Sequence, residues 1–378
     1  MPEATLRDRL ERGLASPICL TWELTYACNL SCSHCLSSSG RRDPRELTTS
    51  EALALIDEIS SMKIFYINVG GGEPMVRRDF FEIVEHAVLR RVGVKFSTNG
   101  TRIDAAAARR LANIDYLDVQ VSIDGADAHT NDRVRGSGSY AAARRAMDNL
   151  QAAQFGEFKI SVVMTRENVE QLDDFAALAR DYGAQLRLTR LRPSGRGADV
   201  WNDLHPTLEQ GRALYRWLSD RPNVLTGDSF FHLSALGAPL DGLNLCGAGR
   251  VVCLIDPVGN VYACPFVIHD EFLAGNVRDA GFARVWRESE LFTSLREPQN
   301  PGACASCGSF DACRGGCMAA KFFTGLEMSE PDPECVFGHG ELALAAKENT
   351  RRPHSSPDHT RRVAVSLSPP HVAAKLPG

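Results

Sequence analysis

Short runs of apolar and β-branched residues recur through the first half of the chain, at residues 18–24, 64–70, 93–97, 116–123, 158–164 and 185–191. Each has the length of a single buried strand. Between these runs the apolar period lengthens to that of a helix. Residues 50–60 place Leu53, Ile56 and Ile59 on one face, behind a Thr48/Glu51 pair with capping-box spacing. Residues 79–90 do the same with Phe80, Ile83, Val84 and Ala87, and 103–112, 139–150 and 168–181 complete the series. Six strand–helix units in a row predict a parallel sheet with helices outside it, open or curled into a partial barrel.

Near residue 192 the texture changes to Arg-Pro-Ser-Gly-Arg-Gly, a turn-rich break. A connecting helix is expected from about Pro206 to Ser219, and then short hairpin strands at 251–255 and 261–263 around Asp256-Pro257-Val258-Gly259-Asn260. The expected division is therefore an N-terminal extension (1–17), the βα-repeat domain (18–200), a connecting segment (201–236), a second domain (237–345) and a disordered tail (346–378).

Composition narrows the field. The 378 residues are 44% hydrophobic and 24% charged with a net charge of −5, which excludes a disordered chain, a collagen-like repeat and a basic nucleic-acid coat. No nucleic-acid partner is expected. No stretch approaches the ~20 apolar residues of a membrane span, and Met1 to Gly13 lacks the apolar core of a secretory signal, so a cytoplasmic location is expected. Neither a phosphate-binding G-x-x-x-x-G-K-[ST] loop nor an H-E-x-x-H zinc motif occurs.

The twelve cysteines do not fit this ordinary picture. A reducing compartment gives them no reason to pair, so metal binding is the first inference. Four lie at Cys19, Cys28, Cys32 and Cys35, and the other eight all follow residue 245. Cys28-x3-Cys32-x2-Cys35 comes directly after the first predicted strand. Three thiolates would leave one iron of a 4Fe–4S cluster without a protein ligand, open to chelation by a substrate. The competing reading is a structural zinc completed by Cys19 or His34; otherwise Cys19 reads as a small core hydrophobe. Gly70-Gly71-Gly72-Glu73-Pro74 closes the second strand, Ser97-Thr98-Asn99-Gly100 the third and Ser122-Ile123-Asp124-Gly125 the fourth, with Arg133 and Arg135 shortly after.

With these motifs in these places the chain resembles the radical S-adenosylmethionine (SAM) enzymes. The resemblance implies that Cys28, Cys32 and Cys35 carry a cluster whose open iron binds SAM. It also implies that Gly71, Gly72 and Glu73 hold the SAM amino group. Polar groups among Asn99, Ser122 and Asp124 would contact its ribose and carboxylate, with Arg133 or Arg135 joining Ser122 at the carboxylate. The C-terminal set reads Cys246, Cys253, Cys264, Cys304, Cys307, Cys313, Cys317 and Cys335. Cys304 to Cys317 alone would pass for a zinc ribbon. The whole spacing is similar to the SPASM extension of radical SAM enzymes, which implies two auxiliary 4Fe–4S clusters. Cys304, Cys307, Cys313 and Cys335 would hold the outer one; Cys246, Cys264 and Cys317 would hold the inner one, either with Cys253 as its fourth ligand or with an open iron able to bind substrate or water. The implied fold is a partial (β/α)6 radical SAM barrel followed by a small Cys-rich SPASM domain, and the implied cofactors are three 4Fe–4S clusters and SAM.

Within that family, Cys28 to Leu47 and Tyr66 to Pro74 look like the mycofactocin maturases. This resemblance implies oxidative decarboxylation of the C-terminal Tyr of a small precursor peptide, then carbon–carbon bond formation with the penultimate Val. The alternatives are another SPASM maturase, which forms formylglycine or cross-links a different peptide, and a zinc-ribbon interaction protein. Met1 to Pro17 is too short for a leader-binding domain, so a separate leader-binding carrier protein is expected beside an external electron donor. No general acid or base is identifiable from the sequence.

Overall fold

The computed structural model describes residues 6–226, 230–242, 244–298 and 300–347; from residue 348 onward the expected tail lies outside the described residues. A short helix, α1 (Leu6–Glu11), comes first, and Leu10 packs with Leu245 and Val251. The repeat then runs β1 (Cys19–Thr25), α2 (Thr49–Ser61), β2 (Tyr66–Gly71), α3 (Phe80–Leu89), β3 (Gly93–Thr98), α4 (Ala105–Ala112), β4 (Leu117–Ser122), α5 (Ala128–Arg135), α6 (Ser139–Ala152), β5 (Lys159–Met164), α7 (Leu172–Asp181) and β6 (Gln185–Arg190). All six strands lie within two residues of their predicted positions. The capping box at α2 is made, with Thr48 and Glu51 satisfying each other's backbone N–H.

Helices α8 (Gly197–Leu204) and α9 (Leu208–Ser219) follow, then β7 (Val252–Ile255), β8 (Asn260–Tyr262) and β9 (Leu273–Asn276). The nine strands form one sheet in the order β6-β5-β4-β3-β2-β1-β7-β8-β9. The hairpin strands thus continue the repeat's own sheet: β7 pairs parallel to β1, and β8 and β9 add antiparallel edges.

The sequential order of β1 to β6 matters for function. Right-handed crossovers place every connecting helix on the same face of such a sheet. That outer face is apolar: Leu20, Trp22 and Leu24 of β1 have no exposed surface and share a core with Ile56, Ile59, Phe80 and Val84. Burial of each such side chain contributes about 1.5–3 kcal/mol. The alternate strand residues face inward, and they are largely polar. The inner face and the strand ends above it are left for chemistry.

Candidate functional site

The loop carrying Cys28, Cys32 and Cys35 is held by backbone on both flanks. At its base, Cys28 N donates to Gly40 O (2.9 Å) and Gly40 N to Tyr26 O (2.8 Å). From the end of β2, Gly72 N donates to Thr25 O and Glu73 N to Ala27 O, both at 2.8 Å. That approach requires glycine. A Cβ on Gly72 would stand 2.0 Å from Ala27 O, and Gly71 has φ +102°. On the other flank, Arg196 donates from N to Cys35 O (2.9 Å), from Nε to Cys32 O (2.9 Å) and from Nη1 to Ser39 O (2.8 Å). Gly195, at φ +56°, lets the chain come this close, since its Cβ would lie 2.3 Å from Leu36 O. The segment that the sequence presents as a turn-rich break is therefore a clamp on the cysteine loop.

The three thiols are partly exposed and lie within electrostatic reach of one another. Burial, reinforced by Glu73, Cys32 and Cys35, pushes Cys28 up to about 11. Burial also raises Cys32, against the pull of Arg135. Thiolates here call for a positive group to offset that penalty.

Around the loop the predicted strand-end residues converge. Glu73 is 1% exposed; it accepts from Thr98 Oγ1 (2.9 Å) and Met75 N (3.2 Å) on Oε1 and from Asn99 N (2.7 Å) on Oε2. Asn99 donates to Asn29 Oδ1 at 3.0 Å and lies 4.0 Å from Cys28 Sγ. Asp124 has no exposed surface, and its Oδ2 is 2.6 Å from both His34 Nε2 and Arg135 Nε. Its Oδ1 accepts from Val163 N at 2.8 Å. Burial works to raise Asp124, but Arg135 and His34 outweigh it and hold the carboxyl well below the usual range. Ser122 closes β4 beside Ser161.

The two candidate arginines separate. Arg135, at the end of α5, is buried beside Asp124 and within electrostatic reach of Cys32 and Cys35. Arg133 points outward to Glu167 at 2.7 Å and is 56% exposed. Of the two arginines the sequence leaves open, α5 turns only Arg135 toward the loop. Nothing in the sequence pattern announces α5 or the pairing of His34 with Asp124.

A further buried carboxyl, Glu23 on β1, also went unanticipated. It is 2% exposed, accepts from Ser37 Oγ on Oε1 and leaves Oε2 without a partner among the described residues. Burial lifts it from 4.5 to about 7, with Asp256 adding to the rise and Ser37 opposing it.

The C-terminal thiols fall into two neighbourhoods. Cys304, Cys307, Cys313 and Cys335 together line a cavity of about 380 Å³, and the charges of these four bear on one another. Protein interiors close-pack, so a void of that size ringed by thiols has the form of a cofactor cradle. Cys264 instead senses Cys246 and Cys317. Cys253 has no exposed surface, sits on β7 opposite Leu20, and lies within electrostatic reach of Cys19 as well as Cys264. The backbone N of Cys317 donates to Asp332 (2.7 Å), whose other oxygen pairs with Arg190 of β6 at 2.5 Å. Among the described residues no three His, Cys, Asp or Glu side chains converge closely enough to hold a single ion. A cubane cluster takes one thiolate per iron and needs no such convergence. The all-thiol donor sets and the cavity fit iron–sulfur clusters. No helix among the described residues is long and apolar enough to cross a membrane.

Comparison with known proteins agrees with this geometry. Residues 22–179 match the radical SAM superfamily and residues 246–308 an iron–sulfur cluster-binding domain, SPASM. The zinc-ribbon reading gives way to that second match. The chain is 66% identical to the mycofactocin maturase MftC of Mycolicibacterium smegmatis, over 95% of this chain and 92% of the relative. It is 62% identical to MftC of Mycobacterium tuberculosis, over 100% and 97%. Among solved structures, Streptococcus suis SuiB bound to the precursor peptide SuiA superposes with a TM-score of 0.69 at 16% identity, over 86% of this chain and 77% of that one. Native anSMEcpe with bound AdoMet gives 0.65 at 18%, over 89% and 100%.

Proposed function

The chain belongs to the radical SAM superfamily, among the mycofactocin maturases with a SPASM extension, and from that premise we propose that it modifies the C-terminal Val-Tyr of a small precursor peptide. The terminal tyrosine loses CO2 with two electrons and a proton, leaving a carbon–carbon double bond. One carbon of it is then joined to the valine side chain as a valine C–H bond breaks. The other carbon takes up that hydrogen, so the second step is redox-neutral. The full-length identity to mycofactocin maturases is the observation that carries this reading. A 4Fe–4S cluster with SAM would supply the hydrogen-abstracting radical, and two auxiliary clusters would supply exits for electrons.

The chain's own residues take the following parts. Cys28, Cys32 and Cys35 ligate the first cluster, three thiolates for four irons. Gly71 and Gly72 admit the SAM amino group beside Glu73, while Asn99, Ser122, Asp124 and Arg135 line the ribose and carboxylate side. The His34–Asp124–Arg135 group fixes the cysteine loop against β4. Cys304, Cys307, Cys313 and Cys335 hold the outer auxiliary cluster. Cys246, Cys264 and Cys317 hold the inner one, with Cys253 as fourth ligand through its proximity to Cys264. Cys253→Ala should then alter the spectrum of the inner cluster; an unchanged spectrum would make Cys253 a core thiol.

The setting we propose is the cytoplasm, where all twelve cysteines stay unpaired as they are here. A reductant must deliver electrons from outside. A separate carrier holding the peptide leader would raise the effective concentration of the Val-Tyr end to the order of millimolar. The test is anaerobic incubation of reconstituted enzyme with SAM, reductant and precursor peptide, read by mass spectrometry with and without the carrier. Loss of CO2 and two hydrogens is expected, and at micromolar peptide only with the carrier. An unmodified peptide under all conditions would refute the activity; equal rates with and without carrier would refute the carrier.

A further inference from the structure

The inner face of the sheet carries a cation cluster that the SAM and cluster residues leave unused. Register defines that face. Across the strands, Thr21 lies opposite Asn68, Asn68 opposite Lys95 and Lys95 opposite Asp118. Gln120 then lies opposite Lys159, and Ser161 opposite Arg187. Lys95, Lys159 and Arg187 therefore share one surface below the strand ends. The carboxyl groups in the same inward positions of β1 to β6 are Asp118 and Glu23.

The cations are unequally satisfied. Lys159 Nζ pairs with Asp118 Oδ2 at 2.7 Å, and Arg187 Nη1 donates to Ser161 Oγ at 3.2 Å. Lys95 makes no side-chain hydrogen bond or ion pair among the described residues, although it is partly buried. Burial and the neighbouring Arg187 and Lys159 depress its pKa, against the opposing pull of Asp118. A half-buried ammonium crowded by two other cations costs free energy that an anion would recover. The position is suggestive too. Lys95 precedes Thr98 by three residues, roughly 10 Å down the strand from the site where Thr98 meets Glu73.

We propose that Lys95, flanked by Arg187 and Lys159, anchors the carboxylate of the precursor peptide's last residue. This rests on the peptide-maturase reading above. It gives the inner face a role distinct from the strand ends: the ends hold the cofactor, and the floor beneath them holds the terminus of the substrate. The anchor also has a kinetic signature. An ion pair stabilises the carboxylate that must leave, and nothing of it survives once CO2 has gone. Removing it should therefore raise KM without lowering kcat, and the decarboxylated product should bind less tightly than the substrate.

The test uses holoenzyme with SAM and an N-terminally labelled peptide ending in Val-Tyr, as the free acid and as the C-terminal amide, with Kd read by fluorescence anisotropy. Wild type should prefer the acid by about tenfold or more, the value of a charge-assisted hydrogen bond. Lys95→Met should erase that preference, Lys95→Arg should keep most of it, and SAM affinity and iron content should not change in either. Equal binding of acid and amide by wild type would overturn the proposal. So would a preference that survives Lys95→Met, or a loss of SAM affinity in its place, which would assign the cations to SAM. If Lys95→Met fails to fold, Arg187→Gln in the same assay must reduce the preference or the proposal falls. Failure of the underlying reading looks different: an acid preference with no modification of the peptide retains the anchor and refutes the activity.

Discussion

The two thiol regions differ in what surrounds the sulfurs. At the strand ends, Cys28, Cys32 and Cys35 share one loop gripped by backbone from β2 and from the segment after β6, and charged groups press on it: Glu73, Arg135 and Asp124. In the C-terminal region, Cys304 and Cys307 come from one turn, Cys313 from the end of a short helix and Cys335 from a later turn, and together they line a cavity shared with Phe310, Phe337, Glu330 and Asp332. Three ligands suit a cluster that must bind a charged molecule. Four ligands around a cavity suit a cluster that only passes electrons. On the proposed ligation the two regions would differ in ligand count, three thiols against four, while charged groups stand beside both: Glu73, Arg135 and Asp124 at the first, Glu330, Asp332 and Lys321 at the second.

The sharpest way to break the comparison is to remove ligands from each side. Replacing Cys28, Cys32 and Cys35 with alanine should abolish SAM cleavage and remove about four irons per chain. Cys304→Ala with Cys307→Ala should leave SAM cleavage within a few-fold of wild type while peptide turnover stops. Iron analysis and quantification of 5′-deoxyadenosine read both.

Each region also has one buried acid beside a buried arginine: Asp124 with Arg135, and Asp332 with Arg190. Asp124→Asn strands Arg135 and should cost about 3–5 kcal/mol, whereas Asp332→Asn leaves Arg190 paired with Glu334 and should cost less. Only Asp124→Asn should weaken SAM binding. Both carboxyls are held below their usual range, so their contribution is present above about pH 4 and is lost as pH falls through the native values. Urea denaturation against pH tests the sign.

Glu23 behaves in the opposite way. It rises from 4.5 to about 7, so its contribution is complete below pH 4.5 and disappears as pH climbs through 7. Glu23→Gln should flatten that slope and stabilise the fold at pH 8 by up to ~3 kcal/mol. A variant that keeps the wild-type slope would place the proton elsewhere. The smallest effect belongs to Arg133→Ala, whose side chain pairs with Glu167 at the surface, a contact worth about 0–1 kcal/mol. SAM affinity should stay within about twofold of wild type, against a loss of tenfold or more for Arg135→Ala. Equal losses would erase the distinction between the two arginines.

What the sequence revealed and what it hid follow the same division. The six strands and their main helices were legible because each buries one apolar face, and periodicity records that directly. Helix α5 was not, because Ala128 to Arg135 carries little apolar surface and is stabilised by the Asp127 cap on Thr130 N and by the buried amide of Asn131. Its contribution is to aim Arg135, which no pattern reports. The turn at residues 193–196 was legible from its composition, but the grip of Gly195 and Arg196 on the cysteine loop was not, since a backbone clamp and an ordinary turn have the same composition. The cysteine spacings identified both thiol regions. The apportioning of Cys317 to Cys246 and Cys264 came from resemblance; in the structure Cys264 lies within electrostatic reach of the other two.

The most direct test of the contrast between the two regions is the electron paramagnetic resonance of the reduced protein with and without SAM. It should be measured on wild type, on the Cys28/Cys32/Cys35→Ala variant and on the Cys304/Cys307→Ala variant. SAM should change the spectrum of wild type and of the Cys304/Cys307 variant, and leave that of the barrel-loop variant untouched. A SAM-dependent change that persists without Cys28, Cys32 and Cys35 would contradict the assignment of the open iron to that loop.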